Sequence, residues 1–366
     1  MKIDQLKLVN FRNYDHLEIN FNDHMNIFYG VNGSGKTNLV EAIYMLSITK
    51  SFRINNDKII INSGKIKAKI QGLISKNNDK SNYTLEISND KKEVFINESK
   101  VDKLSDYVTR INIVLFNPVD IRLIDEAPEK RRKLLNISIG SLYKEYLIIL
   151  ANYQKILKQR NFYLRGMYTN HNYDTTYLDI ITNKLIEYGT LICKYRNDFI
   201  NKINNYITDI YNSIFKGNTL KIKYISSYKN KNSKEILEMY KKNYQREMNV
   251  GKTLYGIHHD DVEFIVDNVS LKEYGSEGQR KNAIISYKLA EINVIKDIKE
   301  YYPILILDDL FSELDKGRVL NIFKLLNNEV QIFITTTEIK NVNKKYLMNA
   351  KIFHVEKGTI MEVKNE

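Results

Sequence analysis

The 366-residue chain is 43% hydrophobic, holds one cysteine and carries a formal net charge of +12. That length suits one large domain with an insertion, or two domains. No apolar run approaches the ~18 residues of a membrane span, no charged-then-apolar leader is visible, and Cys193 alone forms neither an internal disulfide nor a metal site, so a protein of the reducing cytoplasm is expected.

Near the start, "HLEINF" (16–21) alternates in period two, and "MNIFY" (25–29) is an apolar strand running into glycines. Residues 37–48 carry Leu39, Ile43 and Leu46 at helical spacing. From 59 to 116, "KIIINSGKIKAKIQGLI", "NYTLEIS" and "KEVFIN" are β-prone runs separated by Asn, Asp, Lys and Gly clusters, which predicts a mostly antiparallel sheet. Past Pro128 the pattern turns helical over 129–170 and 176–214, without the unbroken heptads of a long coiled coil. A strand at 219–225 and a helix at 233–248 close this segment. Residues 129–248 hold 22 Lys and Arg against 10 Asp and Glu, while the rest of the chain holds 34 against 34. Compositional bias would spread along the chain, whereas a confined excess suits a nucleic-acid surface. After Gly251 come helix 276–298, strand 303–308, helix 315–327 and strands 330–335 and 351–356, an α/β pattern. Residues 1–128 and 249–366 therefore read as two halves of one α/β domain, split by a basic, mainly helical insertion at 129–248.

Chemistry is concentrated in three stretches. "GVNGSGKT" (30–37) fits G-x-x-x-x-G-K-[ST] between a strand and a helix, the context that the motif needs. Gly30, Val31, Asn32, Gly33, Ser34, Gly35 and Asn38 would line a phosphate cradle. Lys36 would bridge the β- and γ-phosphates of ATP, and the Thr37 hydroxyl would ligate Mg2+. "PILILDDLFSELD" (303–315) is a buried strand ending in Asp308, suited to holding Mg2+, and Asp309, placed to polarise the attacking water. "EYGSEGQRKN" (273–282) lacks the Gly-Lys-Thr of a phosphate loop, but Ser276 is a plausible N-cap, Gly278 allows close approach, and a helix N-terminus attracts anions. "HHDD" (258–261) is read as a turn or a head-domain contact, since four adjacent side chains cannot converge on one metal.

Together these stretches resemble the ABC-type ATPase heads of SMC proteins, RecF proteins and their nuclease-linked relatives. "EYGSEGQRKNAIISYKLAE" resembles the ABC signature, with Glu277 where many members have glycine. "LDDLFSELD" resembles a Walker B followed by a D-loop, with Asp315 in the D-loop aspartate position. "FITTTE" (333–338) sits where the switch histidine is usual, so that Thr335, Thr336 or Thr337 would replace it. Within this group the chain is similar to the RecF family of bacterial DNA replication and repair proteins, through "LVNFRNYDHLEINF", "KSFR" (50–53), "LFNPVDIRLI" (115–124), "PEKRRKLLN" (128–136), "GIHHDDVEF" (256–264) and "YGSEGQRKN". Leu134, Glu126 and His259 depart from that pattern. Arg12 and Arg53 resemble arginines that approach ATP phosphates. Asn117 and Asp120 are the candidates for the Q-loop.

The resemblance implies an ATP- and Mg2+-dependent homodimer in which Ser276 and Gly278 of one copy meet the phosphate loop of the other. It further implies a slow, DNA-stimulated ATPase that binds single-stranded and gapped or junction DNA in the nucleoid, with RecO and RecR as partners, and that assists recombinase loading, replication restart and SOS induction. Arg131, Arg132, Lys133, Lys155, Lys158, Arg160 and Arg165 are the candidate DNA contacts in the basic segment. One alternative is a head of this kind with another chromosome-maintenance role; a nuclease-linked head would need a long coiled coil. A transporter ATPase subunit is the other, but there the signature lies much nearer the phosphate loop, whereas Lys36 and Ser276 are 240 positions apart.

Overall fold

A computed structural model of the chain describes residues 1–77, 79–170, 175–215, 218–310, 316–339, 347 and 349–363. It begins with β1 (Lys2–Phe11), β2 (Tyr14–Asn20), β3 (Met25–Tyr29) and α1 (Lys36–Ile48). Then come β4 (Lys67–Lys76), β5 (Asp79–Ser88), β6 (Lys92–Ile96), β7 (Ser99–Lys100), α2 (Leu104–Val108) and β8 (Ile113–Phe116). The middle is α3 (Pro128–Leu142), α4 (Lys144–Asn170), α5 (Thr175–Ile214), β9 (Leu220–Ile225) and α6 (Ser233–Val250). The last third holds β10 (Asp261–Val266), β11 (Val269–Ser270), α7 (Leu271–Tyr274), α8 (Glu277–Lys299), β12 (Ile304–Asp308), α9 (Lys316–Leu325), β13 (Ile332–Thr336), β14 (Ala350–Glu356) and β15 (Thr359–Val363).

Two six-stranded sheets sandwich α1. One is antiparallel, in the order β2-β1-β4-β5-β6-β7; the other runs β15-β14-β3-β13-β12-β8 and is parallel except for β15. A parallel sheet must be covered on both faces, and its strands alternate accordingly. Ile304 and Ile306 face a core shared with α1 and the antiparallel sheet, while Leu305 and Leu307 face a second core shared with the helices of the middle segment. In the first core the rings of Phe28, Phe333 and Phe353 stack across three adjacent strands.

The middle segment differs from expectation in two ways. The helix expected over 129–170 breaks at Tyr143, which leaves the helical region (φ −129°, ψ 110°). A Cβ at Gly140 would lie 2.5 Å from Leu147, so the glycine lets the two helices approach. Nor does 129–248 close on itself: β9 pairs antiparallel with β10 of the following segment, and its core continues into α8.

Buried ion pairs strengthen that junction. Arg131 donates two hydrogen bonds to Asp261 (2.7 and 2.9 Å) and others to the carbonyls of Leu123, Ile124 and Glu126. Arg196 donates to Asp260 and to the carbonyl of Ile257, both at 2.8 Å, and Tyr224 donates to the same carboxylate. Arg160 donates to Glu247 at 2.6 Å and to the hydroxyls of Thr182 and Thr253, with Arg160 and Glu247 both fully buried. Burial holds His258, which shares a hydrogen bond with Tyr153, down at about 4. The expectation that Arg131 and Arg160 contact DNA is corrected here, because both guanidinium groups lie inside the protein. Arg160→Ala should destabilise the fold by about 3–5 kcal/mol, because Glu247 is left buried without its partner; urea unfolding of the two proteins measures this.

Candidate nucleotide-binding site

The phosphate loop leaves β3 at Tyr29 and enters α1 at Lys36. Gly30 and Gly35 are required there. Their φ values are +155° and +118°, and a Cβ would lie 2.3 Å from the Val355 carbonyl oxygen or 2.6 Å from Asn13 Nδ2. Val31, Asn32 and Gly33 are exposed at the rim, while Ser34, Gly35 and Lys36 are buried. Lys36 Nζ donates to the carbonyl oxygens of Gly30 (2.7 Å) and Val31 (2.9 Å). Burial pushes its pKa down, and Asp309 and Asp308 pull it back up. Ser34 Oγ is buried without a hydrogen-bond partner. An ammonium, an orphaned hydroxyl and a helix N-terminus around one glycine loop fit a phosphate chain.

The metal-binding candidates meet across the sheet. Thr37 Oγ1 donates to Asp308 Oδ1 at 3.2 Å, and Thr335 Oγ1 donates to the same oxygen at 2.7 Å. Burial raises the Asp308 pKa, opposed by those two hydroxyls. No group of three or more His, Cys, Asp or Glu that could hold a metal occurs among the described residues. One hydroxyl and one carboxylate fit Mg2+, which keeps several waters and takes substrate phosphate oxygens. Asp309 follows in a left-handed conformation (φ 49°), its N–H donating to Thr335 Oγ1 at 2.9 Å.

At the second half-site Ser276 caps α8. Its Oγ accepts from the Gln279 N–H, and Gln279 Oε1 accepts from the Ser276 N–H, a capping box. Above Gly278 there is open space: an added Cβ would meet only Ser276 Oγ, at 4.0 Å. Ser276 and Glu277 are exposed, as is Tyr274 before them. Two ion pairs anchor the helix to the segment after β8: Arg280–Asp125 at 2.5 Å and, from the buried Lys288 to the half-buried Asp120, a pair at 3.6 Å.

The family described as the RecF/RecN/SMC N terminal domain matches residues 2–361. The DNA replication and repair protein RecF of Bacillus mycoides (strain KBAB4) is 37% identical over 368 residues, covering 98% of each chain. The chain belongs to the RecF family. A solved structure of the recombination mediator protein RecF–ATP in the RecFOR pathway matches with a TM-score of 0.90 at 27% identity, over 99% of this chain and 97% of that one. An Smc head bound to the C-winged helix domain of ScpA shares the fold at a TM-score of 0.58 and 15% identity, over 99% and 98%. The RecF-type fold thus has the ABC head without a long coiled coil among its described residues.

In this RecF-family chain several expected site residues take other places. Arg12 grips the buried Glu41 through two hydrogen bonds (3.0 and 2.8 Å) and donates to the Ile59 carbonyl at 3.1 Å, so that three of its N–H groups serve the protein. Arg53 stays beside the loop and donates to Asn38 at 2.8 Å. Asn38 in turn donates to Asn13, which donates to the Ser34 carbonyl. Of the three switch candidates, Thr335 has its hydroxyl engaged by Asp308 and by the Asp309 N–H, Thr336 donates to the Glu338 carbonyl, and Thr337 is half-buried. Asn117 accepts from the Asp120 N–H. Asp315 lies outside the described residues. Among the DNA candidates Lys133, Lys155, Lys158 and Arg165 are exposed, while Arg132 is partly buried and donates to the Asp260 carbonyl.

Sequence reasoning missed Glu41, which Ser51 also contacts. The signal was available: one acid in "NLVEAIYML", a helix otherwise apolar on all sides, is not solvated and needs a partner. Arg12→Ala should therefore cost about 3 kcal/mol of stability in nucleotide-free protein. Thermal unfolding without ATP checks this, since a pure phosphate contact would leave that melting curve unchanged.

Proposed function

We propose that this chain is an ATP-gated DNA-binding protein of recombinational repair and replication restart, acting as a homodimer. The observation that carries the reading is the pair of unlike half-sites. One, around Lys36, Thr37 and Asp308, is assembled within the fold; in the other, Ser276 is exposed and bonded within its own helix, with open space above the half-buried Gly278. A second copy would join them, so that ATP shifts the monomer–dimer equilibrium by its preference for the dimer.

In this reading the loop N–H groups and Lys36 hold the phosphates, Thr37 and Asp308 hold Mg2+, and Asp309 orients the attacking water. Ser276 of the partner copy approaches the γ-phosphate. Held there by Thr37 and Asp308, Mg2+ would supply neutralisation of the charge that develops on the phosphates. Hydrolysis is slow and DNA-stimulated and serves to release the clamp. RecO and RecR are the partners that the RecFOR relative suggests, in recombinase loading and SOS induction at the nucleoid. No helix among the described residues is long and apolar enough to cross a membrane.

The dimer is tested with Gly278→Asp, whose side chain has room in the monomer and suits the first turn of a helix. Light scattering should show ATP-dependent dimers for the wild type and monomers for Gly278→Asp; dimers in both would sink the trans arrangement. DNA contact rests on the exposed Lys133, Lys155, Lys158 and Arg165. Neutralising all four should flatten the salt dependence of DNA binding by about 0.9 in log–log slope for each phosphate left unneutralised; an unchanged slope places the DNA elsewhere.

A further inference from the structure

Thr335 belongs neither to the glycine loop nor to the Asp308–Asp309 stretch, yet its strand lies between the two strands that lead to them. It lies on β13, fully buried, in register with Asp308 of β12 on one side and Phe28 of β3 on the other. Its hydroxyl is used in both directions. It donates to Asp308 Oδ1 at 2.7 Å and accepts from the Asp309 N–H at 2.9 Å. A hydroxyl has one proton to give, so this one is not available as a donor to a γ-phosphate.

The two partners are consecutive residues, and this defines the job. In a continuing strand, Asp308 and Asp309 would point to opposite faces. Here the chain turns at Asp309 into a left-handed conformation (φ 49°), uncommon for a residue with a side chain. Both carboxylates then act on Lys36. The Thr335 oxygen holds the turned backbone from one side while its proton fixes the Asp308 carboxylate, to which Thr37 also donates. We propose that Thr335 is the positioning residue of this acidic turn: through one hydroxyl it sets the direction of the metal-binding carboxylate and of the water-orienting one. Its functional consequence rests on the ATPase reading above. The geometric claim does not.

Valine has the shape of threonine without the hydroxyl, and serine has the hydroxyl without the methyl. Thr335→Val and Thr335→Ser are compared with wild type in the full chain by three measures. These are amide hydrogen exchange at Asp309 without nucleotide, the Mg2+ concentration for half-maximal binding of a fluorescent ATP analogue, and kcat. Valine should speed exchange at Asp309 by at least about tenfold. It should raise the Mg2+ requirement and lower kcat, each by about 10- to 100-fold, as loss of a residue that orients a metal ligand does. Serine should restore all three. Exchange at the wild-type rate in the valine protein overturns the proposal, and so does a serine protein as impaired as the valine one, which would point to packing. A wild type that binds no ATP analogue overturns the reading of the site itself, and the exchange comparison still decides whether Thr335 holds the turn.

Discussion

The hydrogen bond from Thr37 to Asp308 joins residues 271 positions apart, and the rest of the fold is arranged so that they meet. Thr37 follows the loop at the end of β3, Asp308 ends β12, and β13 lies between the two strands. Parallel strands need long crossover connections, so their carboxyl ends align only when the intervening chain passes outside the sheet. Such a sheet is stable only if both faces are covered. The two-sided apolar pattern of β12, with α1 and the antiparallel sheet on one face and the helices of the middle segment on the other, meets that condition.

The charge of the middle segment divides into two populations. Arg131, Arg160 and Arg196 have left water, and each is paired with an acid and further acceptors. Desolvating a charge is offset only by such complete pairing. Asp260 and Asp261 lie beyond the segment, so two of the three pairs also bind helices α3 and α5 to the start of β10. Lys133, Lys155 and Lys158 stay exposed, as suits a strongly hydrated ammonium on a flexible stem. Any phosphate-binding surface here therefore relies more on lysine than the raw arginine count suggests.

The nucleotide site is also braced from behind. Glu41, inside α1, is gripped by Arg12 and contacted by Ser51, and Arg53 reaches from the same loop to Asn38. This network ties the β1–β2 turn and residues 51–53 to the helix that the glycine loop opens.

Sequence alone determined what depends on near neighbours. The strand at 25–29, the glycines of the loop, the helix they open and the cap at Ser276 were all legible, because period, turn chemistry and capping act within a few residues. The strand at 219–225 was legible too, but not its partner β10. Tertiary structure decided which charges are solvated. Arg160 and Lys158 look alike in sequence, yet one is sealed against Glu247 and the other faces water. It decided that Arg12 serves Glu41, that Gly140 makes room for Leu147 at the break between α3 and α4, and that Thr335 stands between two aspartates. Except for Gly140 and Leu147, which meet across a helix break, the deciding partner lies far along the chain, and only packing brings it within hydrogen-bonding reach.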